Sequence, residues 1–421
     1  YVDGEHKSTW TVEVANAETS TNYIYSSAMT GSYGKIYVEW YAKPLAFSAY
    51  DTSADRVTEK DFGFQFYVKT AEEPQPSKDI TVCFTNDVHG AYELYPYAAT
   101  AMKGADLIVD AGDNIQGSVA TTLTNGQCMV DLMKTVGYDV AVPGNHEFDY
   151  GFDRFLEIVN GDNTPYVSAN LWDKTADKAV LDAYKIFTVG DKKVAVVGIT
   201  TPETLVKSTP AFFQNAAGEY IYDFCNDTTG EKLYTVVQKA VDAAKAEGAD
   251  YVIAVGHLGI DEQSEPWTST SVIANTTGID ALIDGHSHST FATTQKNKDG
   301  KDIPVAQTGT KLENVGKMTI AADGTITATL LPLYEVKTRV NETTGKEEKY
   351  NVYLYDTDPT VAAKVAEIKA EVDKVSNTVV ARTEVDLTTL DPTTGKRAVR
   401  SAETNLGDLC ADAYRDLLKT D

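Results

Sequence analysis

An α/β fold, preceded by a small all-β unit and followed by a partial α+β segment, is what this 421-residue sequence predicts. Three observations carry that expectation. From residue 80 onward, short apolar runs alternate with turns and helical patterns, the rhythm of strands buried on both faces. Before residue 70 the apolar positions alternate with period two, as in KIYVEWYA (35–42) and FGFQFYV (62–68), with Gly, Ser and Thr between. Between the two textures, AEEPQPSKD (71–79) holds two prolines, three acids and no apolar side chain larger than proline, which is the composition of an exposed linker.

Taken in order, residues 1–70 read as a β-rich accessory unit whose aromatic runs are the faces of strands rather than a carbohydrate platform. Residues 80–335 carry the strand runs ITVCFT, ADLIVD, DVAV, KKVAVVGIT, DYVIAVG and IDALIDG, with a long helical pattern at 231–248. Residues 336–357 form a polar, hairpin-like connection. Asp358 then stands as an N-cap and Pro359 as the first residue of an amphipathic helix, with Val361, Val365, Ile368, Val372 and Val375 on one face. In the last segment, Leu406, Leu409, Cys410, Ala413 and Leu417 recur at helical spacing after Thr404 or Asn405 as N-cap, a face whose packing partner is expected beyond the chain. The sequence shows no internal repeat.

Composition narrows the function. A hydrophobic share of 42% with 10% aromatics supports packed cores, and no run of 18 apolar residues exists to span a membrane as a helix. A net charge of -25 and a pI of about 4.6 argue against nucleic-acid backbones and anionic membranes as partners. The chain begins at Tyr1 without Met, so it reads as a processed chain or a fragment. Together with the acidic, Tyr- and Thr-rich composition, this gives the expectation of a bacterial extracellular, periplasmic or cell-surface protein, attached to a wall or surface through regions outside this chain. Cys83, Cys128, Cys225 and Cys410 lack metal-finger spacing and read as small buried hydrophobes, leaving the redox compartment open.

The histidines are the informative residues. Of six, five lie in polar turns directly after apolar strands: His89 in TNDVHG, His146 in PGNHEFD, His257 in GHLG, and His286 and His288 in GHSH. His6 lies far from any such turn and reads as a surface residue. A further turn, AGDNIQGS (111–118), offers Asp113. In an open α/β sheet, groups at the carboxyl ends of strands converge on one rim. The donor set of Asp87, His89, Asp113, Asn145, His257, His286 and His288 mixes imidazole nitrogen with carboxylate and amide oxygen and has no thiolate. That chemistry suits Mn, Zn, Fe or Co and exceeds one tetrahedral shell. Two divalent ions bridged by Asp113 would use all seven donors.

The blocks DVH, GDNIQG, GNHEFD, GHLG and GHSH, in this order, resemble the calcineurin-like metallophosphoesterases, in particular the 5′-nucleotidase and 2′,3′-cyclic-nucleotide phosphodiesterase branch. RSAETNLGDLCADAYR (400–415) resembles the opening of that branch's C-terminal nucleotide-binding domain, so residues 358–421 would comprise a linker helix and the start of that domain. The resemblance implies a four-layer α/β/β/α sandwich. It implies one metal on Asp87, His89, Asp113 and His288, and a second on Asp113, Asn145, His257 and His286. His288 is the least secure of these, because the family varies there. It also implies that His146 is the catalytic histidine, oriented by Asp149, and that Asn145, His146 and Asn405 touch substrate. For Asp149 the alternative is a helix N-terminal charge, and for Asn405 a helix cap.

The implied activity is hydrolysis of phosphate monoesters, foremost nucleoside 5′-monophosphates, with water acidified by the metals as nucleophile. A phosphodiester or sulfur-ester hydrolase on the same scaffold is the alternative enzyme reading. A surface-binding protein with an inactive hydrolase domain is the non-enzymatic one.

Overall fold

The computed structural model describes residues 10–16, 21–31, 34–41, 46–51, 64–65, 79–161, 164–341, 345, 347–379, 381–399 and 401–419. His6 and linker residues 71–78 lie outside them, as do the side chains of the N-terminal unit. The chain divides into two compact units, residues 1–76 and 77–421.

In the first unit the period-two segments form an antiparallel sheet in the order Trp10–Asn16, Thr21–Gly31, Gly34–Tyr41, Ala46–Asp51. The short strand Phe64–Gln65 pairs with Thr21–Gly31; the rest of the FGFQFYV run lies outside the described residues.

The second unit is built on two sheets. One runs Ile326–Pro332, Asn314–Ile320, Ile80–Thr85, Leu107–Asp110, Val140–Ala141. The other runs Tyr184–Val189, Lys192–Thr200, Tyr251–His257, Ala281–Ile283, Asp302–Thr308, Thr290–Lys296. The strands that end in the histidine and aspartate turns pair in parallel, Ile80–Thr85 with Leu107–Asp110, and Tyr251–His257 with Ala281–Ile283. Parallel neighbours deliver their carboxyl ends to the same rim.

Alternation along each strand explains the unbroken apolar runs. Val82 and Phe84 point into an interior layer shared with Val194, Val196, Ile253 and Val255 of the other sheet. Cys83, on the opposite face, meets Tyr95, Met129, Leu132 and Met133 of the helical layer. In the second sheet, Ala195, Val197 and Ile199 turn the other way, onto Leu233, Val237 and Val241 of helix Glu231–Ala246. A strand covered on both faces has no position left for a polar residue until it reaches the rim. The result is the four-layer α/β/β/α sandwich.

Helix Pro359–Ser376 starts where expected, its Asp358 carboxylate accepting from the amides of Thr360 and Val361. Val361, Val365, Ile368 and Val372 pack on the helical layer, but Val375 is 54% exposed because the last turn runs past the surface the helix covers. The connection before it is a two-stranded hairpin, Tyr334–Val340 with Glu347–Tyr353. Helix Asn405–Leu418 buries none of its residues. Cys410 is therefore exposed and Cys225 half-buried; only Cys83 and Cys128 are the buried hydrophobes expected of all four. No helix among the described residues is long and apolar enough to cross a membrane.

Candidate metal centre

The strand-end turns meet at the rim of the two sheets. The turn after Ile80–Thr85 is stitched to the turn after Leu107–Asp110 by three amide bonds, Asp87 N to Gly112 O, His89 N to Asp113 O and Gly90 N to Asn114 O, at 2.9, 2.9 and 3.1 Å. Five of the seven donor residues hold left-handed backbone: Asp87 (φ 49°), His89 (45°), Asp113 (59°), His286 (81°) and His288 (53°). Such conformations are uncommon outside glycine and cluster where the surroundings over-determine them for function. Close approach is allowed by glycines: a Cβ on Gly144 would stand 2.3 Å from Asp113 Oδ1, and one on Gly285 would stand 2.8 Å from His257 Nδ1.

The groups able to hold an ion form overlapping triads, Asp87–His89–His288, Asp113–His257–His286 and His89–Asp113–His146, with His89 and Asp113 each in two of them. His89 Nε2 and His288 Nε2 face each other at 3.0 Å, and His288 Nε2 is 3.4 Å from Asp87 Oδ1. His257 is fully buried and donates its Nδ1 proton to Ala111 O at 2.7 Å, because a carbonyl can only accept. Its Nε2 then sits 3.0 Å from Asp113 Oδ2, outside hydrogen-bond geometry. A lone pair and a carboxylate so close repel unless a cation, proton or metal, lies between them.

The titration preferences say the same. Burial lowers the His257 pKa, but Asp113 and Asp87 overcome it and hold the ring up at about 10. Burial would raise the Asp113 carboxyl, but His257 and then the other histidines hold it well below the usual range. His89 goes the other way, lowered chiefly by burial. Among the candidate donors, Asn145 Oδ1 is the second buried atom without a hydrogen-bond partner among the described residues. Two orphaned donor atoms converging with imidazoles and carboxylates fit divalent ions, which displace such protons on binding. The site residues thus suit the metals the donor set implies.

His146 is held differently. Its amide donates to Asp113 Oδ1 at 2.8 Å, and its Nδ1 lies 2.5 Å from Asp149 Oδ2. Asp149 Oδ1 in turn accepts from Ser208 Oγ at 2.8 Å. Burial lowers the His146 pKa, but the Asp149 bond and Asp113 raise it to about 9. The ring stays part-exposed at a cavity of about 530 Å³ that also takes in Asn145, His286, His288, Lys207 and Lys311. Asn405 is not among that cavity's lining. Its amide is engaged locally, accepting from Thr388 N and donating to Asp386 O, while Thr404 caps the helix.

Three acids that sequence reasoning missed hold the site together. Glu147, only 1% exposed, accepts from the amides of Gly144 (2.6 Å), Asp113 (2.8 Å), Asn114 (2.8 Å) and Ile115 (3.4 Å), locking two turns to each other. Asp284 accepts from the amides of Leu258 and Gly259 and so braces the GHLG turn. Glu203 Oε2 lies 2.9 Å from His286 Nε2 and accepts from Ser264 Oγ at 2.6 Å, which leaves His286 Nδ1 for the cluster. The strand-end rule would have found Glu203, which follows KKVAVVGIT, had it been applied to turns without histidine. Glu147→Ala would strand at least three buried amides at about 1–3 kcal/mol each, so a loss of about 3 kcal/mol or more is expected in denaturant unfolding.

The chain resembles known proteins over the span that holds these residues. The calcineurin-like phosphoesterase family matches residues 80–290. A snake venom 5′-nucleotidase from Naja atra is 27% identical over 390 residues, covering 82% of this chain and 66% of that protein. A 5′-nucleotidase from Bos taurus is 27% identical over 368 residues, covering 80% of this chain and 59% of that protein. The chain thus spans less than two thirds of the length of these relatives. Among solved structures, the 5′-nucleotidase precursor from Thermus thermophilus shares the fold, with a TM-score of 0.57 at 23% identity over 81% of this chain and 67% of that one.

Proposed function

The chain belongs to the calcineurin-like phosphoesterase family of metal-dependent hydrolases, and from that premise we propose that it hydrolyses phosphate monoesters, with nucleoside 5′-monophosphates as the preferred class. The observation that carries the reading is Asp113, which belongs to two of the three triads, with the orphaned atoms of Asn145 and His257 at the same rim. One ion would be held by Asp87, His89, Asp113 and His288, the other by Asp113, Asn145, His257 and His286. When bound, such ions neutralise charge on a phosphoryl group and acidify water; Mn, Zn, Fe and Co all suit the donors.

The chain's own residues do the rest. Asp113 and Glu147 fix the GDN and GNH turns in one register, so the donors stand ready before substrate arrives. His146, its Nδ1 held by Asp149, presents Nε2 to the cavity and delivers a proton to the departing alkoxide. The nucleotide preference is supported by the two 5′-nucleotidase relatives. We extend the reading to an exported enzyme on the strength of the acidic, Tyr- and Thr-rich composition.

The test is phosphate release from p-nitrophenyl phosphate, AMP and a 2′,3′-cyclic nucleotide with manganese added. Release from the monoesters is expected. Silence across the panel overturns the phosphoesterase reading, and turnover of the cyclic ester alone overturns the monoester one. Glu203→Gln should weaken metal binding by about 10- to 100-fold, as loss of a carboxylate behind a ligating histidine does. Wild-type affinity in competition with a chelator would leave Glu203 without that role.

A further inference from the structure

We propose that Lys207 and Lys311 form a two-ammonium clamp for the tetrahedral phosphate group, so that this domain carries its own anion site beside the metal-ligating side chains. The proposal rests on the phosphoester reading above. Both lysines line the cavity that holds His146 and Asn145. In a chain with 62 acids against 37 lysines and arginines, two ammonium groups at one cavity stand out from the background.

Each is positioned by the site itself. Lys207 ends the short helix Thr204–Lys207, and its Nζ lies 3.9 Å from Glu203 Oε1, the same carboxylate whose other oxygen holds His286. Lys311 has left-handed backbone (φ 52°), and so does the buried Leu312 that follows (φ 56°). The turn is pinned twice to one carbonyl: Lys311 N and Thr310 Oγ1 donate to Asp87 O at 2.8 and 2.9 Å. Lys311 lines the cavity and forms no ion pair among the described residues. Two ammonium groups beside a cluster built to bind cations repel those cations unless a multiply charged anion sits among them. A phosphate dianion is that anion, and lysine binds phosphate as a point charge without demanding a fixed angle.

The experiment uses the manganese-loaded protein and inorganic phosphate as probe, with phosphate affinity from calorimetry and metal content from elemental analysis. Lys207→Gln and Lys311→Gln should each weaken phosphate binding by about 10-fold or more, the scale of a hydrogen bond to a charged group. Metal content should match wild type, Lys311→Arg should recover most of the affinity, and Lys239→Gln, exposed and outside the cavity, should change it by less than about 2-fold. Wild-type phosphate affinity in both glutamine variants overturns the clamp while ester hydrolysis by the wild type leaves the phosphoester reading standing. Loss of metal in Lys207→Gln also overturns it, by showing that Lys207 acts only through Glu203. A wild-type protein that neither releases nor binds phosphate brings down the phosphoester reading and the clamp with it.

Discussion

Replacing Asp113 by alanine is expected to lower ester hydrolysis by on the order of 10⁴-fold or more and to leave fewer than one transition-metal ion per chain. The size of the effect follows from where the carboxylate stands. Asp113 Oδ2 is 3.0 Å from His257 Nε2 and 3.9 Å from His89 Nε2, so one side chain faces both halves of the donor set. Its other oxygen accepts the amide of His146 at 2.8 Å, which ties the GNH turn to the GDN turn. Alanine would remove the donor proposed to serve both ions and loosen the second turn at the same time. Asp113→Asn separates the two effects: the amide oxygen can still accept from His146 N, but the charge that would offset two divalent ions is gone. Metal analysis after manganese-replete purification, beside a phosphate-release assay, reads both. An alanine variant that retains two ions per chain would mean that Asp113 does not bridge them.

Why so much of this centre was legible follows from how the fold uses its strands. A strand buried on both faces is written as an uninterrupted apolar run, so the first polar residues after it mark the rim, and the histidines there were conspicuous in a chain with only six. Acids gave no such contrast among 62 of them. Glu147 sits inside the very stretch PGNHEFD, yet its role depends on turning inward to four amides from two different turns, and nothing local announces a contact 33 residues away. Lys311 was hidden for a similar reason, since its place depends on the Asp87 carbonyl more than 220 residues earlier. Helical spacing predicted the face of Pro359–Ser376 but could not say how far the covering surface extends, so Val375 fell outside it. For Asn405–Leu418 the same spacing found the helix and its apolar face, and the face is bare among the described residues.

His146→Ala is expected to keep its metal and lose about 10²- to 10⁴-fold in turnover. The ring stands in a triad with His89 and Asp113, but its Nδ1 is committed to Asp149 at 2.5 Å, and the adjoining Asn145 offers an orphaned Oδ1 in its place. Asp149→Asn should cost less than His146→Ala, because it leaves the imidazole in place and removes only what orients it and favours its proton, as the carboxylate does in raising His146 to about 9. The double variant should then be no slower than His146→Ala alone, since residues that act as a unit are strongly non-additive. Leaving groups distinguish the two jobs open to the ring. If it protonates the departing oxygen, the loss for AMP, whose ribose alkoxide leaves poorly, should far exceed the loss for p-nitrophenyl phosphate, whose phenolate needs little help. Equal losses on both esters would move His146 to the phosphoryl oxygens instead, where its positive charge helps every substrate alike.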